Sequence, residues 1–175
     1  MKVVIIGGGA GGPTAAARLR RLDENAQIVL FERGEHVSYA HCGLPYYIGG
    51  VIKDRSKLLV ASPERLKRRY RIDIRTRCEV KSIVPDAKQV EVVDLTTGNT
   101  YRESYDKLIL APGATPIRPP LPGIDTEGIW TLRNLTDADA ILEFMNNRQP
   151  QKVVVVGGGF IGLEMAENFK RRGME

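Results

Sequence analysis

Three glycines in the pattern Gly7-x-Gly9-x-x-Gly12 stand directly after the apolar run Val3-Val4-Ile5-Ile6, and Glu32 follows twenty residues after the last of them. Between a strand and a helix each residue has a mechanical job. The first glycine permits a tight turn, the second lets the backbone approach a pyrophosphate, and the third lets helix and strand pack closely. Helix amides then face the phosphates, and the Glu32 carboxylate can accept hydrogen bonds from ribose hydroxyls. A structural glycine turn would explain the triplet alone; strand, helix and acid in register point to dinucleotide binding. The spacing recurs as Gly157-x-Gly159-x-x-Gly162, where Lys152 through Gly162 restates Lys2 through Gly12. Two such motifs imply two dinucleotides, and the usual reason to hold two is electron transfer between a nicotinamide and a flavin. Duplication of a single-cofactor domain is the competing reading.

The second kind of candidate is a thiol. Cys42 and Cys78 are the two cysteines, too few for a disulfide framework. Cys78 alternates within an apparent strand and reads as core. Cys42 stands at the expected start of a short helix over residues 45–48, where the helix dipole favours thiolate over thiol. Against that, most free cysteines are small buried hydrophobes. No metal site is expected.

These residues need elements to hold them. Residues 3–6 read as a buried parallel strand, 10–22 as a helix with Arg18, Arg20 and Arg21 near its C-terminus, and Gln27–Phe31 as the next strand, a βαβ unit. Residues 38–50 are dense in Gly, Tyr, Cys and His and show no clean period, as functional loops often do. Ser62-Pro63-Glu64 predicts a capped helix to about Tyr70. From 72 to 104 an alternating pattern, broken at Pro85-Asp86 and Thr97-Gly98-Asn99, predicts a small antiparallel meander. An apolar strand at 105–110 ends in Ala111-Pro112-Gly113, and prolines 116, 119, 120 and 122 mark an extended connection. Thr136 and Asp139 fit a capping box for a helix to about Asn147. Residues 153–156 predict the strand that opens the repeat.

The predicted fold class is therefore α/β: a Rossmann-like dinucleotide domain over 1–115 with a meander insertion at about 72–104, a linker and connecting helix over 116–150, and the start of a second Rossmann-like domain over 151–175. One strand and one helix leave apolar faces uncovered, so the chain is expected to be the N-terminal part of a longer protein, cut early in its second domain.

Composition supports an ordinary globular chain. Of 175 residues, 42% are hydrophobic and 27% charged, and aromatics are scarce at 6% beside 18 glycines. No apolar run approaches the ~20 residues of a spanning helix, and the N-terminus has no room for a signal peptide ahead of the glycine turn, so no membrane partner and a cytoplasmic location are expected. The net charge of +5 comes without a nucleic-acid-binding motif. A phosphorylated small molecule is an equally natural partner, and no nucleic acid is expected.

Residues 4–12, Arg18-Leu19-Arg20-Arg21-Leu22, Phe31-Glu32-Arg33-Gly34 and, above all, Ser38-Tyr39-Ala40-His41-Cys42-Gly43-Leu44-Pro45-Tyr46-Tyr47-Ile48-Gly49-Gly50 resemble the coenzyme A disulfide reductases. These are single-cysteine members of the FAD-dependent pyridine nucleotide-disulfide oxidoreductases. The resemblance spans the chain, with Ala111-Pro112-Gly113 and residues 157–167 matching later family motifs. It implies FAD at the first fold, held through Gly7, Gly9, Gly12, Glu32, Arg33, Ala111 and Gly113, and NADH or NADPH at the second, through Gly157, Gly159 and Gly162. It also implies that Cys42 is catalytic and alternates between thiolate and a mixed disulfide with coenzyme A. Two-cysteine relatives carry a partner five residues on, where this chain has Tyr47. Ser38 and His41 match positions that line the cysteine pocket, although Asn is commoner where His41 stands; His41 either holds the thiolate or is simply exposed. Arg18 and Arg21 match or lie near contacts to coenzyme A phosphates, or form a solvated helix turn. The implied enzyme reduces coenzyme A disulfide or a related persulfide or polysulfide, as a homodimer when full length. The alternatives are an NADH oxidase or peroxidase working through a cysteine sulfenic acid, or a flavin-binding electron-transfer module without thiol chemistry.

Overall fold

Lys2–Ile6 forms β1, and every strand that shares its sheet lies parallel to it: β2 (Gln27–Phe31) on one side and β7 (Lys107–Leu110) on the other, with β3 (Ile72–Arg75) beyond β2, in the order β3-β2-β1-β7. A parallel sheet with both faces covered uses continuous apolar strands, and β1 shows why. Val3 and Ile5 pack with Ile28, Leu30 and Ile72 against Ala16 of α1 (Gly11–Leu22) and Leu66 of α3 (Pro63–Tyr70). Val4 points the other way, with Val29 and Phe31, onto Cys78, Val90 and Val92 of a second sheet. That second sheet is the antiparallel meander β4 (Cys78–Val84), β5 (Gln89–Asp94) and β6 (Thr100–Ser104).

The computed structural model describes residues 1–175. They group into two compact units: Met1–Tyr39 with Leu59–Gly113, which holds both sheets, and Ala40–Leu58 with Ala114–Glu175. The second unit contains a 3-10 turn at His41–Gly43, α2 (Leu44–Ile48), a further 3-10 turn at Arg55–Leu58, α4 (Leu135–Arg148) and α5 (Phe160–Arg171). Within it α2 packs against both α4 and α5.

The predicted α/β class holds, with three local corrections. The meander begins at Cys78, not at residue 72, because Ile72–Arg75 pairs parallel with β2 and buries Ile72 in the main core. A left-handed Arg77, φ 54°, then separates the two sheets. Alternation alone does not show which neighbour a strand will choose. The box that opens α4 is Asn134 with Asp137: Asn134 Oδ1 accepts from the Asp137 amide at 2.9 Å, and Asp137 Oδ2 accepts from the Asn134 amide at 3.2 Å. Asp139, the predicted partner of Thr136, instead meets Arg55 at 2.9 Å. Third, residues 153–156 join no ladder, and Val154 and Val156 are 86% and 95% exposed. A strand needs a hydrogen-bonded neighbour along its length, and the two backbone bonds made at this end of the unit, Val153 N–H to Glu175 O and Glu175 N–H to Gln151 O, both at 2.9 Å, reach no further than Val153.

The two sheets of the first unit are tied by Arg75. Its guanidinium lies 5.4 Å from the Phe31 ring centroid and 5.9 Å from that of Tyr101, and it donates to Asp73 at 2.7 Å and to Glu103 at 2.6 Å. Glu103 also accepts from Lys2 Nζ. Burial pushes the Glu103 carboxyl up, but the bonds from Lys2 and Arg75 outweigh it and hold it below the usual carboxylate range. A depressed folded-state pKa contributes stability above the unfolded value of about 4.3, and that stability is lost as the pH falls through the folded value. Glu103→Gln is therefore expected to lower stability near neutrality by about 1–3 kcal/mol. In urea unfolding, the difference from wild type should shrink as the pH is lowered from neutrality into the acid range. A difference that does not change with pH would remove the ionised Glu103 from the tie.

Candidate dinucleotide and thiol sites

The chain leaves β1 through Gly7, whose φ is +108°, a region L-residues rarely enter. A β-carbon on Gly7 would lie 2.0 Å from the Ala111 carbonyl oxygen, and one on Gly12 would lie 1.8 Å from the Gly7 carbonyl oxygen. The turn from β1 into α1 is therefore built on two missing side chains, one set by backbone conformation and packing, the other by packing alone. Ala111 also extends the β1–β7 ladder, donating to Ile6 O at 2.8 Å, and Gly113, φ +74°, turns the chain away. Gly7, Gly8, Gly9, Gly11 and Gly12 leave the stretch with one side chain, Ala10, and a helix start exposes unpaired amides. That is a surface a pyrophosphate can approach.

Glu32 follows the last residue of β2 and reaches back to this turn. Its Oε2 accepts from the Gly8 amide at 2.6 Å and its Oε1 from the Gly34 amide at 2.7 Å. The sequence assigned Glu32 to ribose alone; the structure gives it a second task, bracing the glycine turn. A carboxylate offers about four acceptor sites, so two such bonds leave capacity for ribose hydroxyls. The residues present fit the pyrophosphate and ribose of a dinucleotide. Ser38 belongs to the same cluster through its backbone: at φ 49° it donates to Gly8 O at 2.8 Å and accepts from Val60 at 2.9 Å. Arg33 lies beside Glu32 in sequence, but its exposed side chain points to Glu79 at 3.8 Å.

On α1, Arg18 and Arg21 are exposed and enter no ion pair, whereas Arg20 is committed to structure. Arg20 donates to the carbonyls of Tyr70 at 2.8 Å, Arg71 at 3.0 Å and Glu24 at 2.6 Å, closing the C-terminus of α3. The sequence did not separate Arg20 from its neighbours, because the two carbonyls it meets at the end of α3 lie about fifty residues away.

In the second unit His41 and Cys42 share the 3-10 turn that runs into α2, with His41 O accepting from the Leu44 amide. Cys42 is solvent-exposed and Cys78 is buried; both are free thiols. Burial pushes the Cys78 thiol up, which keeps it protonated and unreactive. Tyr47 in α2 is a residue that sequence reasoning treated only as a missing cysteine. Burial first, then the charge of nearby Asp139, push its phenol pKa up, so it stays protonated. Asp139 is also held by Arg55 at 2.9 Å, so α2, α4 and the turn at Arg55–Leu58 share one polar knot behind the cysteine turn. The second glycine triplet opens α5 in the geometry of the first: Gly157 has φ +106°, and a β-carbon on Gly162 would lie 2.3 Å from the Gly157 carbonyl oxygen. Gly159 is the N-cap.

A glycine turn braced by an acid, and its repeat at the start of α5, define a Rossmann-type chain with two dinucleotide motifs. The chain belongs to the pyridine nucleotide-disulphide oxidoreductase family, whose pattern matches residues 1–175. A coenzyme A disulfide reductase of Staphylococcus aureus (strain bovine RF122 / ET3-1) is 42% identical over 173 residues, covering 99% of this chain and 39% of that protein. The crystal structure of reduced Bacillus anthracis CoADR-RHD superposes with a TM-score of 0.98 at 51% identity, over 99% of this chain and 31% of that one. An NAD-dependent persulfide reductase from A. fulgidus matches with a TM-score of 0.95 at 41% identity, over 100% and 32%. The chain thus spans about two fifths of the length of such curated relatives. No helix is long and apolar enough to cross a membrane.

Glu32 braces the glycine turn and keeps acceptor capacity for ribose hydroxyls, so Glu32→Gln is expected to weaken FAD binding by about 1–3 kcal/mol, since the amide nitrogen would face a backbone N–H donor in place of an acceptor. Titration followed by flavin fluorescence reads this directly. An unchanged dissociation constant would take Glu32 out of the site.

Proposed function

We propose that this chain provides the flavin-binding and thiol-bearing parts of an FAD-dependent NAD(P)H:disulfide oxidoreductase that reduces coenzyme A disulfide, or a related persulfide or polysulfide, through Cys42 as its single redox-active cysteine. The observation that carries the reading is the division of labour between the two thiols, Cys42 exposed on a turn and Cys78 sealed in the core. It draws support from the likeness to the coenzyme A disulfide reductase and persulfide reductase sequences and structures.

FAD and a nicotinamide, when bound, supply two electrons at a time. The residues of this chain do the rest. Gly7, Gly9, Gly12 and Glu32 hold the first dinucleotide; Ala111 and Gly113 shape the turn beside it, with Arg33 at its edge. Gly157, Gly159 and Gly162 receive the second. Cys42, as thiolate, attacks one sulfur of the substrate disulfide, forming a mixed disulfide and expelling the other sulfur as a thiolate, which takes a proton from solvent. Two electrons and a proton then cleave that bond, releasing the second thiol and restoring the thiolate. The sum is NAD(P)H, a proton and a disulfide giving NAD(P)+ and two thiols. The family likeness supports giving Arg18 and Arg21, both exposed, to coenzyme A phosphates, and Ser38 and His41 to the approach to sulfur. A homodimeric, cytoplasmic enzyme belongs to the same proposal and rests on the family likeness.

In the full-length protein, Cys42→Ser is expected to abolish NAD(P)H-dependent reduction of coenzyme A disulfide while flavin remains bound, and Cys78→Ser to retain most of it. The assay is thiol release coupled to nicotinamide absorbance. Turnover in Cys42→Ser equal to wild type would overturn the thiol mechanism. Robust consumption of oxygen or peroxide, with no thiol released from the disulfide, would favour the sulfenic acid chemistry instead.

A further inference from the structure

Asn168 in α5 is the one polar residue with no exposed surface. Its Nδ2 donates to the Glu164 carbonyl at 2.8 Å, which fixes the side chain, and its buried Oδ1 accepts no hydrogen bond within the chain. The amide group lies against Gly49, which caps the C-terminus of α2. A β-carbon at Gly49 would sit 2.0 Å from Oδ1, 2.6 Å from Cγ and 2.7 Å from Cβ of Asn168. Gly49 has φ −67°, an ordinary helical value, so the backbone does not require glycine there. Asn168 does.

A buried amide oxygen without a partner destabilises a fold relative to an apolar side chain of similar size. The contact therefore does not serve stability. It fixes register instead, because a polar wedge seated in a glycine notch has one fit, and sliding α5 along α2 would drive the amide into flanking backbone. The two helices it locks begin at the two chemically interesting turns of this unit. The Gly157–Gly162 turn opens α5, and the Cys42 turn runs directly into α2.

We propose that Asn168 and Gly49 form a register lock that makes the second glycine turn and the Cys42 turn move as one body, so that occupancy of the nicotinamide turn is felt at the cysteine. Asn168 is on this account a positioning residue for Cys42. The inference rests on the assignment of Cys42 and of the second triplet made above. The test uses full-length protein with flavin bound, and reads the rate of Cys42 alkylation by iodoacetamide with and without saturating NAD+, which binds without reducing anything. Wild type is expected to show at least a threefold change in rate on adding NAD+. Gly49→Ala and Asn168→Ala should both still alkylate and still bind NAD+, with the ratio collapsed to about one. Asn168→Ala introduces no clash, so it reports on the lock even where Gly49→Ala fails to fold. A wild-type ratio of one at demonstrated NAD+ saturation overturns the proposal. So does a wild-type-like ratio in Asn168→Ala, which would mean that any effect travels by another route. Failure of the thiol mechanism itself would show separately, as undiminished turnover in Cys42→Ser.

Discussion

The first unit depends on a steric fact: the Gly7 carbonyl occupies the place where a side chain at residue 12 would begin, and the Ala111 carbonyl occupies the place where one at residue 7 would begin. Without those two absences the chain could not leave β1 and enter α1 in so short a span. With them, the end of β1, the start of α1 and the loop after β7 converge within a few ångströms. Glu32 then completes the turn, because its carboxylate binds the Gly8 amide that the turn leaves facing it, and is itself held by the Gly34 amide of its own loop. The residues that fit a dinucleotide are thus the ones that fold the turn, which explains why the motif is so specific in sequence.

The same backbone solution recurs 150 residues later, at Gly157 and Gly162, with φ values at the first glycine that agree to within 2°. The repeat brings its turn and helix but no ladder for residues 153–156. Turn and helix are local and need no distant partner, whereas a strand exists only when a neighbour pairs with it. The second unit also carries the exposed Cys42 thiol, and the short helix that follows it has Tyr47 near Asp139, itself ion-paired with Arg55, and Gly49 against the Asn168 wedge.

What the sequence showed follows the same division between local and distant. β2, α1, α3 with its Ser62 cap, and the buried Cys78 were all legible, since period, caps and turn residues are written in neighbouring positions. Asn134 and Thr136 both begin a plausible capping box, and only the draw of Arg55 on Asp139 decides between them. β3 looked like meander because alternation is shared by both kinds of sheet. Arg20, Tyr47 and Asn168 escaped notice for one reason: their roles are defined by carbonyls, a carboxylate and a glycine notch far away in sequence or across a helix interface. Of the candidate site, the tight glycine turn between β1 and α1 was legible by spacing, but its bracing by Glu32 was visible only in three dimensions.

The central claim is that Cys42 forms its disulfide with an external thiol and has no partner within the chain. The direct measurement is peptide mass analysis, without reductant, of the reduced full-length protein after anaerobic incubation with coenzyme A disulfide in the absence of nicotinamide. The account predicts one coenzyme A adduct per chain, on Cys42, removed by reductant, with Cys78 unmodified. A disulfide joining Cys42 to Cys78, or a Cys42 that stays free under these conditions, would contradict it.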